Sequence, residues 1–374
     1  MEFRDLKRQY QIHRAKIDSA LQEVLDSTHF ISGQQVADLE RRLADYVKVR
    51  HCIACANGTD ALQLALMAWD IGEGDAVFVP DFTFFSSGEV VPLVGAVPVF
   101  VDIDADTFNI SCESLRQAVE YVIHHTKLRP RVIVAVDLFG QPADYQAIRK
   151  IADEYDLLVL EDAAQGFGGM IDDSMACSFG DIATTSFFPA KPLGCYGDGG
   201  AIFTDDDAWA EKLKSLRVHG KGSDKYDNVR IGMNSRLDTI QAAVLIQKLH
   251  FFEEEVDACN HVAERYNEML RDIVKTPVIL DNMRSSRAQY TICLKDAVER
   301  DKVIEQLKAD GIPSAVYYKK PMHRQQAFAK ALTEAVSCVQ TEGICEKCLS
   351  LPMHPYMEET EIHAVCESVR KALS

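Results

Sequence analysis

One lysine is set apart by what surrounds it. Lys191 follows Pro189 in the stretch D-I-A-T-T-S-F-F-P-A-K-P-L-G-C-Y-G-D-G-G-A-I-F-T, residues 181–204, and Gly194, Gly197, Gly199 and Gly200 crowd around it. A β-rich run precedes it (Ile182 to Phe188) and another follows (Ala201 to Thr204). Glycines at this density permit unusual backbone angles and close backbone approach. A lysine on a constrained loop between two buried strands suits Schiff-base chemistry, because an ammonium withdrawn from water gives up its proton readily. A hairpin-like connection with a surface lysine is the plainer alternative, and this stretch alone does not separate the two.

Other chemistry-bearing residues fall at the ends of apolar runs. After Cys52–Ala56 comes N-G-T-D-A-L, where Gly58 and Thr59 open a helix. Bare N–H groups and the dipole make such a terminus a phosphate site, although a plain cap by Asn57 or Thr59 explains the pair in isolation. After Ala76–Pro80 comes D-F-T-F-F, whose Phe82, Phe84 and Phe85 serve either core packing or ring stacking. After Leu157–Leu160 comes E-D-A-A-Q. Strand alternation sends Glu161 and Asp162 to opposite faces, and a buried Asp162 requires a partner such as a protonated pyridine nitrogen. Gln165 lies just downstream, and Ser186 closes the run before Lys191. A phosphate cradle, an aromatic face, a buried carboxylate and a Schiff-base lysine are together what a pyridoxal phosphate enzyme needs. A nicotinamide dinucleotide would want G-x-G-x-x-G after the first strand, and C-A-N-G-T-D-A-L does not match.

The elements that must position these residues follow from periodicity. Residues 1–50 read as helices broken at F-I-S-G. From His51, short apolar runs alternate with helical segments: Cys52–Ala56, Ala76–Pro80, Val97–Ile103, Val132–Val136, Leu157–Leu160, Ile182–Phe188 and Ala201–Thr204. Several are continuously apolar, the pattern of strands buried on both faces of a mostly parallel sheet. The intervening helices are expected at 59–69, 83–93, 112–123 and 145–155, with another beginning at Asp207. A loop is expected at 219–230, and one long helix, Leu237–Glu255, as the bridge out of the large domain. Beyond it, helices at 259–270 and 298–309, strands at Gln289–Leu294, Ser314–Tyr318 and Cys348–Met353, and a closing helix from Glu358 describe a smaller α+β domain. The expected organisation is a helical segment over 1–50, a large domain over 51–255 and a small domain over 256–374.

Composition narrows the partners. The chain of 374 residues carries a formal net charge of −17, which disfavours nucleic acid and anionic membrane surfaces. It has neither an apolar leader nor a membrane-length apolar run, so a cytoplasmic protein is expected. Eleven scattered cysteines fit reduced thiols. Cys52/Cys55 and Cys345/Cys348 share the C-x-x-C spacing of zinc sites, but the first pair lies in a strand-like stretch that puts its side chains on opposite faces. No metal site is expected.

These motifs resemble the DegT/DnrJ-type nucleotide-sugar aminotransferases, which are fold-type I pyridoxal phosphate enzymes. The resemblance spans nearly the whole chain: F-I-S-G-Q-Q-V-A-D-L-E, N-G-T-D-A-L, G-A-V-P-V-F-V-D-I-D, E-D-A-A-Q, S-F-F-P-A-K-P-L-G-C-Y-G-D-G-G-A, G-M-N-S-R-L-D and L-S-L-P-M-H-P. It implies that Lys191 bonds the cofactor, Asp162 pairs with the pyridine nitrogen, and Gln165 sits near the ring hydroxyl. Phe84 would stack on the ring, and Gly58, Thr59 and Ser186 would hold the phosphate. Asn234 would reach the phosphate of a second subunit, which implies a homodimer with shared active sites.

Within the family, the form of the lysine motif is similar to that of enzymes acting on UDP-2-acetamido-2-deoxy-3-oxo-glucuronate, with glutamate as donor, in surface polysaccharide synthesis. Arg236 would then bind the sugar carboxylate across the dimer. The chain departs from the family at Tyr317-Tyr318-Lys319, where H-Y-P is usual. Tyr317 replaces a histidine that helps hold the uronate, so a neutral 3-oxo sugar stays a second candidate, with Lys319 or Lys320 able to compensate. The resemblance also admits a sugar dehydratase, against which Lys191 argues because dehydratases carry histidine there, or a non-catalytic regulator.

Overall fold

The computed structural model describes residues 1–374 apart from 225 and 330. Each expected apolar run of the large domain becomes a strand of one sheet. These are β1 (His51–Cys55), β2 (Asp75–Pro80), β3 (Val97–Val101), β4 (Arg129–Val136) and β5 (Leu158–Asp162). Two short strands, β6 (Met170–Ile171) and β7 (Ser174–Met175), leave the sheet before β8 (Ile182–Ser186) and β9 (Gly200–Thr204) complete it. The strand order is β1-β9-β8-β5-β4-β2-β3. Parallel pairing links β3, β2, β4, β5 and β8, while β9 runs antiparallel to both β8 and β1.

Helices cover both faces, which is why the runs read as continuous rather than alternating. On one face Ile53, Val77, Val134, Leu160 and Ile202 pack with α3 (Gly58–Ala68), α4 (Ser86–Leu93) and α7 (Asp207–Leu216). On the other, Phe78, Ile133 and Val159 pack with α5 (Cys112–His125) and α6 (Tyr145–Tyr155), and Ala54, Ala183 and Phe203 with α2 (Gln34–Val47) and α8 (Thr239–Leu249). Cys52 and Cys55 enter different clusters on the two faces, as their odd spacing requires. The N-terminal helix α1 (Leu6–Ser27) packs on α8.

A smaller α+β unit closes the chain. Strands β11 (Tyr290–Cys293) and β12 (Cys348–Leu351) pair antiparallel, and the small strand β10 (Met283–Arg284) pairs back onto β6. Helices α9 (Phe252–Leu270), α10 (Ala297–Ala309) and α12 (Glu359–Leu373) share a separate core with them, built on Val262, Tyr266, Val303, Leu349 and Val365. No helix among the described residues is long and apolar enough to cross a membrane.

Four details differ from the sequence reading. The single helix expected over 237–255 is two, because the chain breaks at His250–Phe251 and α9 then runs unbroken past residue 255. Phe251, at φ −122° and ψ 10°, turns its buried ring onto His13, with centroids 3.4 Å apart. Tertiary stacking breaks this helix without a glycine or proline to announce it. Residues 83–85 remain in a loop ahead of α4. The stretch 314–318 makes one isolated bridge, Ala315 to Ser350, because Tyr317 and Tyr318 turn toward the large sheet instead of continuing a strand. A helix not anticipated, α11 (Val339–Lys347), precedes β12.

Candidate active site

Because most strands run parallel, their carboxyl ends share one edge, and a ligand site belongs there. The β1–α3 corner supplies one wall. Asn57 caps α3 by accepting the Asp60 N–H at 2.8 Å. The N–H groups of Gly58 and Thr59, the first of the helix, are left as donors at its positive end. Ser186, at the end of β8, closes the corner. A Cβ on Gly58 would lie 2.7 Å from Ser186 Cβ, so only glycine lets strand end and helix start approach this closely. The Thr59 hydroxyl pairs with Ser86 at 2.7 Å, and Ser86 in turn donates to Glu89 at 3.1 Å. Backbone donors, two hydroxyls and a helix dipole form a cradle fit for a phosphate.

The end of β5 supplies the charge. Glu161 turns away from the site and accepts backbone N–H groups from Cys177, from Phe179 at 2.7 Å and from Gly180 at 3.0 Å, while burial pushes its carboxyl up to about 7. Asp162 faces the site and is buried. It accepts the Ser87 hydroxyl at 2.7 Å and the Ala164 N–H at 3.2 Å. Burial raises its pKa, and the Ser87 hydrogen bond and the charge of Lys191 pull the other way. Among the described residues it has no ion-pair partner. A buried carboxylate in that condition gains most from a cation brought by a ligand, which is what a protonated pyridine nitrogen offers.

Lys191 is half-buried on the loop after β8. Burial lowers its amine to about 8, the Asp162 carboxylate opposes that shift, and the guanidinium of Arg4 adds to it. An amine in this range exists partly as the free base near neutrality, as imine formation demands.

The aromatic cluster divides its labour. Phe82 is core, with its ring centroid 6.1 Å from Phe139 and 5.8 Å from Tyr318, and Phe85 packs on Phe328 at 5.0 Å. Phe84 alone is open, 52% exposed, with its centroid 6.4 Å from Tyr318. Gln165 is fixed from three sides. Its Oε1 accepts the Phe139 N–H at 2.7 Å, its carbonyl accepts the Ser286 hydroxyl at 2.6 Å, and its Nε2 donates to the Tyr318 hydroxyl at 3.1 Å. Tyr317 packs edge-on against Phe3 at 6.3 Å.

Gly58, Thr59, Phe84, Asp162, Gln165, Ser186, Lys191, Tyr317 and Tyr318 thus gather at the strand edge and the loop packed over it. Asn234 and Arg236 do not join them. Asn234 is exposed and Arg236 half-buried, and among the described residues neither side chain hydrogen-bonds to the rest of the set. Between them, buried Ser235 anchors the loop by accepting the Ala56 N–H at 3.1 Å.

Two features were missed in the sequence. Ser87, the second residue of α4, supports Asp162, and the hydroxyl-rich T-F-F-S-S run was its only signal. Asp81, at the end of β2, accepts the His323 N–H at 2.7 Å and meets His323 Nδ1 at 2.6 Å. That clasp fastens the 317–323 segment over the aromatic loop. Cys338 lies close enough to make a three-residue metal-ligand group with them, and in this structure Asp81 and His323 bond to each other directly.

A protein with this sheet, this corner and this lysine is a fold-type I pyridoxal phosphate enzyme. The family model described as the DegT/DnrJ/EryC1/StrS aminotransferase family matches residues 11–370, and the chain belongs to that family. It is 43% identical over 370 residues to the UDP-2-acetamido-2-deoxy-3-oxo-D-glucuronate aminotransferase of Pseudomonas aeruginosa, covering 99% of each chain. Among solved structures, a DegT DnrJ EryC1 StrS aminotransferase from Brucella abortus superposes with a TM-score of 0.98 at 47% identity, covering 100% of each chain. NtdA from Bacillus subtilis with bound cofactor PMP superposes at 0.87 and 29% identity, covering 96% of this chain and 82% of that one. The enzyme is accordingly a pyridoxal phosphate-dependent transaminase.

Proposed function

We propose that the protein moves the amino group of glutamate to a 3-oxo nucleotide sugar, UDP-2-acetamido-2-deoxy-3-oxo-glucuronate or a close relative, in the cytoplasm and for surface polysaccharide synthesis. The observation that carries the chemistry is Lys191 on the loop after β8, its amine lowered to about 8, and the buried Asp162, whose charge acts on that amine and which has no ion-pair partner among the described residues. The substrate rests on the activity of the 43% identical relative from Pseudomonas aeruginosa. Bound pyridoxal phosphate supplies an electron-accepting ring that carries an amino group from donor to acceptor.

The chain's own residues do the rest. Gly58, Thr59 and Ser186 hold the phosphate, and Phe84 covers the ring. Asp162 keeps a proton on the ring nitrogen, while Gln165 orients the ring hydroxyl with Tyr318 behind it. Lys191 Nζ accepts and returns the proton that must move for the amine to change carriers. The large domain runs over 51–255 and the small domain over 256–374, so the two meet within α9. The enzyme works as a homodimer in which Asn234 and Arg236 of a second copy complete each site. Val229 and Ile231, 53% and 88% exposed on the same loop, are apolar surface that such a copy would cover.

Tyr317 favours a second reading, a neutral 3-oxo sugar, because a phenol offers no positive charge to a uronate. The enzyme in its amine-loaded form, mixed with a panel of 3-oxo and 4-oxo UDP- and dTDP-sugars, should regain the yellow colour of the aldehyde cofactor with the 3-oxo uronate. If Arg236 is the bidentate partner of the sugar carboxylate, Arg236→Ala will hurt that substrate much more than a neutral sugar. Equal losses on both, or yellowing only with a neutral sugar, would assign the neutral substrate. Mixed dimers of Lys191→Ala and Arg236→Ala should recover activity, since one of their two sites is intact; no recovery would refute a shared site.

A further inference from the structure

Behind the loop that carries Lys191, the N-terminal segment inserts a guanidinium. Arg4 Nη2 donates to the carbonyl of Lys191 at 3.2 Å and to that of Pro192 at 3.4 Å. Its Nη1 is buried and has no hydrogen-bond partner among the described residues. The segment around it is pinned on both sides. The Phe3 carbonyl accepts the Met353 N–H at 3.1 Å, and Asp5 caps α1 by accepting the Arg8 N–H at 2.8 Å. On the front of the loop, the Lys191 N–H donates to the Phe188 carbonyl at 2.8 Å, and the Cys195 N–H to the Phe187 carbonyl at 2.8 Å.

The sequence explains why this loop needs a brace. Pro192 disfavours a helical backbone at Lys191 and brings no N–H of its own. The carbonyls of two successive residues then point away from any regular ladder and must find donors elsewhere. A planar guanidinium suits two neighbouring acceptors, whereas an ammonium is a point donor. It also places an unchanging positive charge close behind the amine, and a like charge disfavours a second one.

We infer that Arg4 is a positioning residue for Lys191, clamping the backbone on which the reactive amine is mounted and holding a fixed positive charge behind it. The inference rests on the reading of Lys191 as the residue that bonds the cofactor. Nothing in it requires Arg4 to touch the cofactor or either substrate.

The test follows cofactor capture by the apoenzyme. Pyridoxal phosphate is mixed with the cofactor-free full-length chain, and the rate of the absorbance change is recorded across pH. Only the free amine captures, so the wild-type rate should rise through a midpoint near 8. Arg4→Gln keeps amide donors but loses the charge. Its midpoint should move alkaline, with capture at pH 7 slowed relative to the wild type. Arg4→Lys keeps the charge but not the fork. Its midpoint should stay near that of the wild type, while its rate falls at every pH. Melting temperature is measured in parallel. A lowered melting temperature with an unmoved midpoint in Arg4→Gln would overturn the inference and leave Arg4 a merely structural residue. If one variant fails to fold, the midpoint or the rate of the other decides. Lys191→Ala is the control for the underlying reading. If it captured the cofactor with the wild-type pH profile, the assignment of Lys191 itself would fail, and that result is distinct from any outcome at Arg4.

Discussion

Lys191 and Lys248 make an instructive pair. Both amines are lowered to about 8, and in both burial is the main cause, opposed by one carboxylate. For Lys191 that carboxylate is Asp162, and for Lys248 it is Glu255. By titration alone the two could be exchanged. Their settings could not. Lys248 lies within α8, 2% exposed, with its Nζ 4.6 Å above the ring of Tyr196. Glu255 is occupied by Gln9 Nε2 at 2.9 and 3.0 Å and by the Tyr356 hydroxyl. Lys191 stands on a loop at the strand edge, in a site that also holds a helix N-terminus, an open aromatic ring and a buried carboxylate with no ion-pair partner among the described residues. A depressed pKa makes an amine available as a nucleophile. The site is made by access and by neighbours that a cofactor can use.

The contrast can be broken at either lysine. Lys191→Ala should abolish transamination while the protein still binds cofactor through the phosphate cradle and Phe84; equilibrium dialysis together with an amino-transfer assay reads both. Measurable turnover in that variant would mean another residue moves the proton. Asp162→Asn should still bind cofactor but slow amino transfer roughly ten- to a hundred-fold, since one charge-assisted hydrogen bond is worth about 1.5–3 kcal/mol. Near-normal turnover in a folded Asp162→Asn protein would contradict the pairing with the ring nitrogen.

Lys248→Met should leave transfer within about two-fold and act on stability instead. A lysine whose folded pKa is depressed holds fewer protons when folded than when unfolded, so the penalty for its charge is complete below about pH 8 and fades as pH rises toward its unfolded value. Removing the amine should therefore stabilise the protein near pH 7 by up to roughly 3 kcal/mol. Melting curves at a series of pH values should show that gain shrinking above pH 8. A constant gain would mean that packing, not charge, sets the difference.

Much of this was legible in the sequence, for reasons that mark its boundary. The seven strands were readable because a sheet covered on both faces writes continuous apolar runs, and nine of the ten ends of β1–β5 fall within two residues of the runs. Gly58, Asp162, Ser186 and Lys191 were readable because each follows or ends such a run, where a parallel sheet gathers its ligands. The break between α8 and α9 was not, because the ring of His13, over two hundred residues away, makes it. The fate of 314–318 was hidden for the same reason. Its β-rich composition is real, but Gln165 and Phe82 draw Tyr318 out of line, and Tyr317 packs on Phe3. Ser87, Arg4 and the Asp81–His323 clasp are contacts between distant segments, and local periodicity carries no trace of them.

The measurement that tests the account most directly is borohydride reduction of the yellow holoenzyme followed by peptide mapping. Reduction makes the bond between cofactor and lysine permanent, so the modified peptide reports which amine the protein uses. The adduct should fall on the peptide containing Lys191, with Lys248 unmodified. An adduct on Lys248, or on any other lysine, would contradict the claim that the strand-edge setting, rather than a lowered pKa, selects the reactive amine.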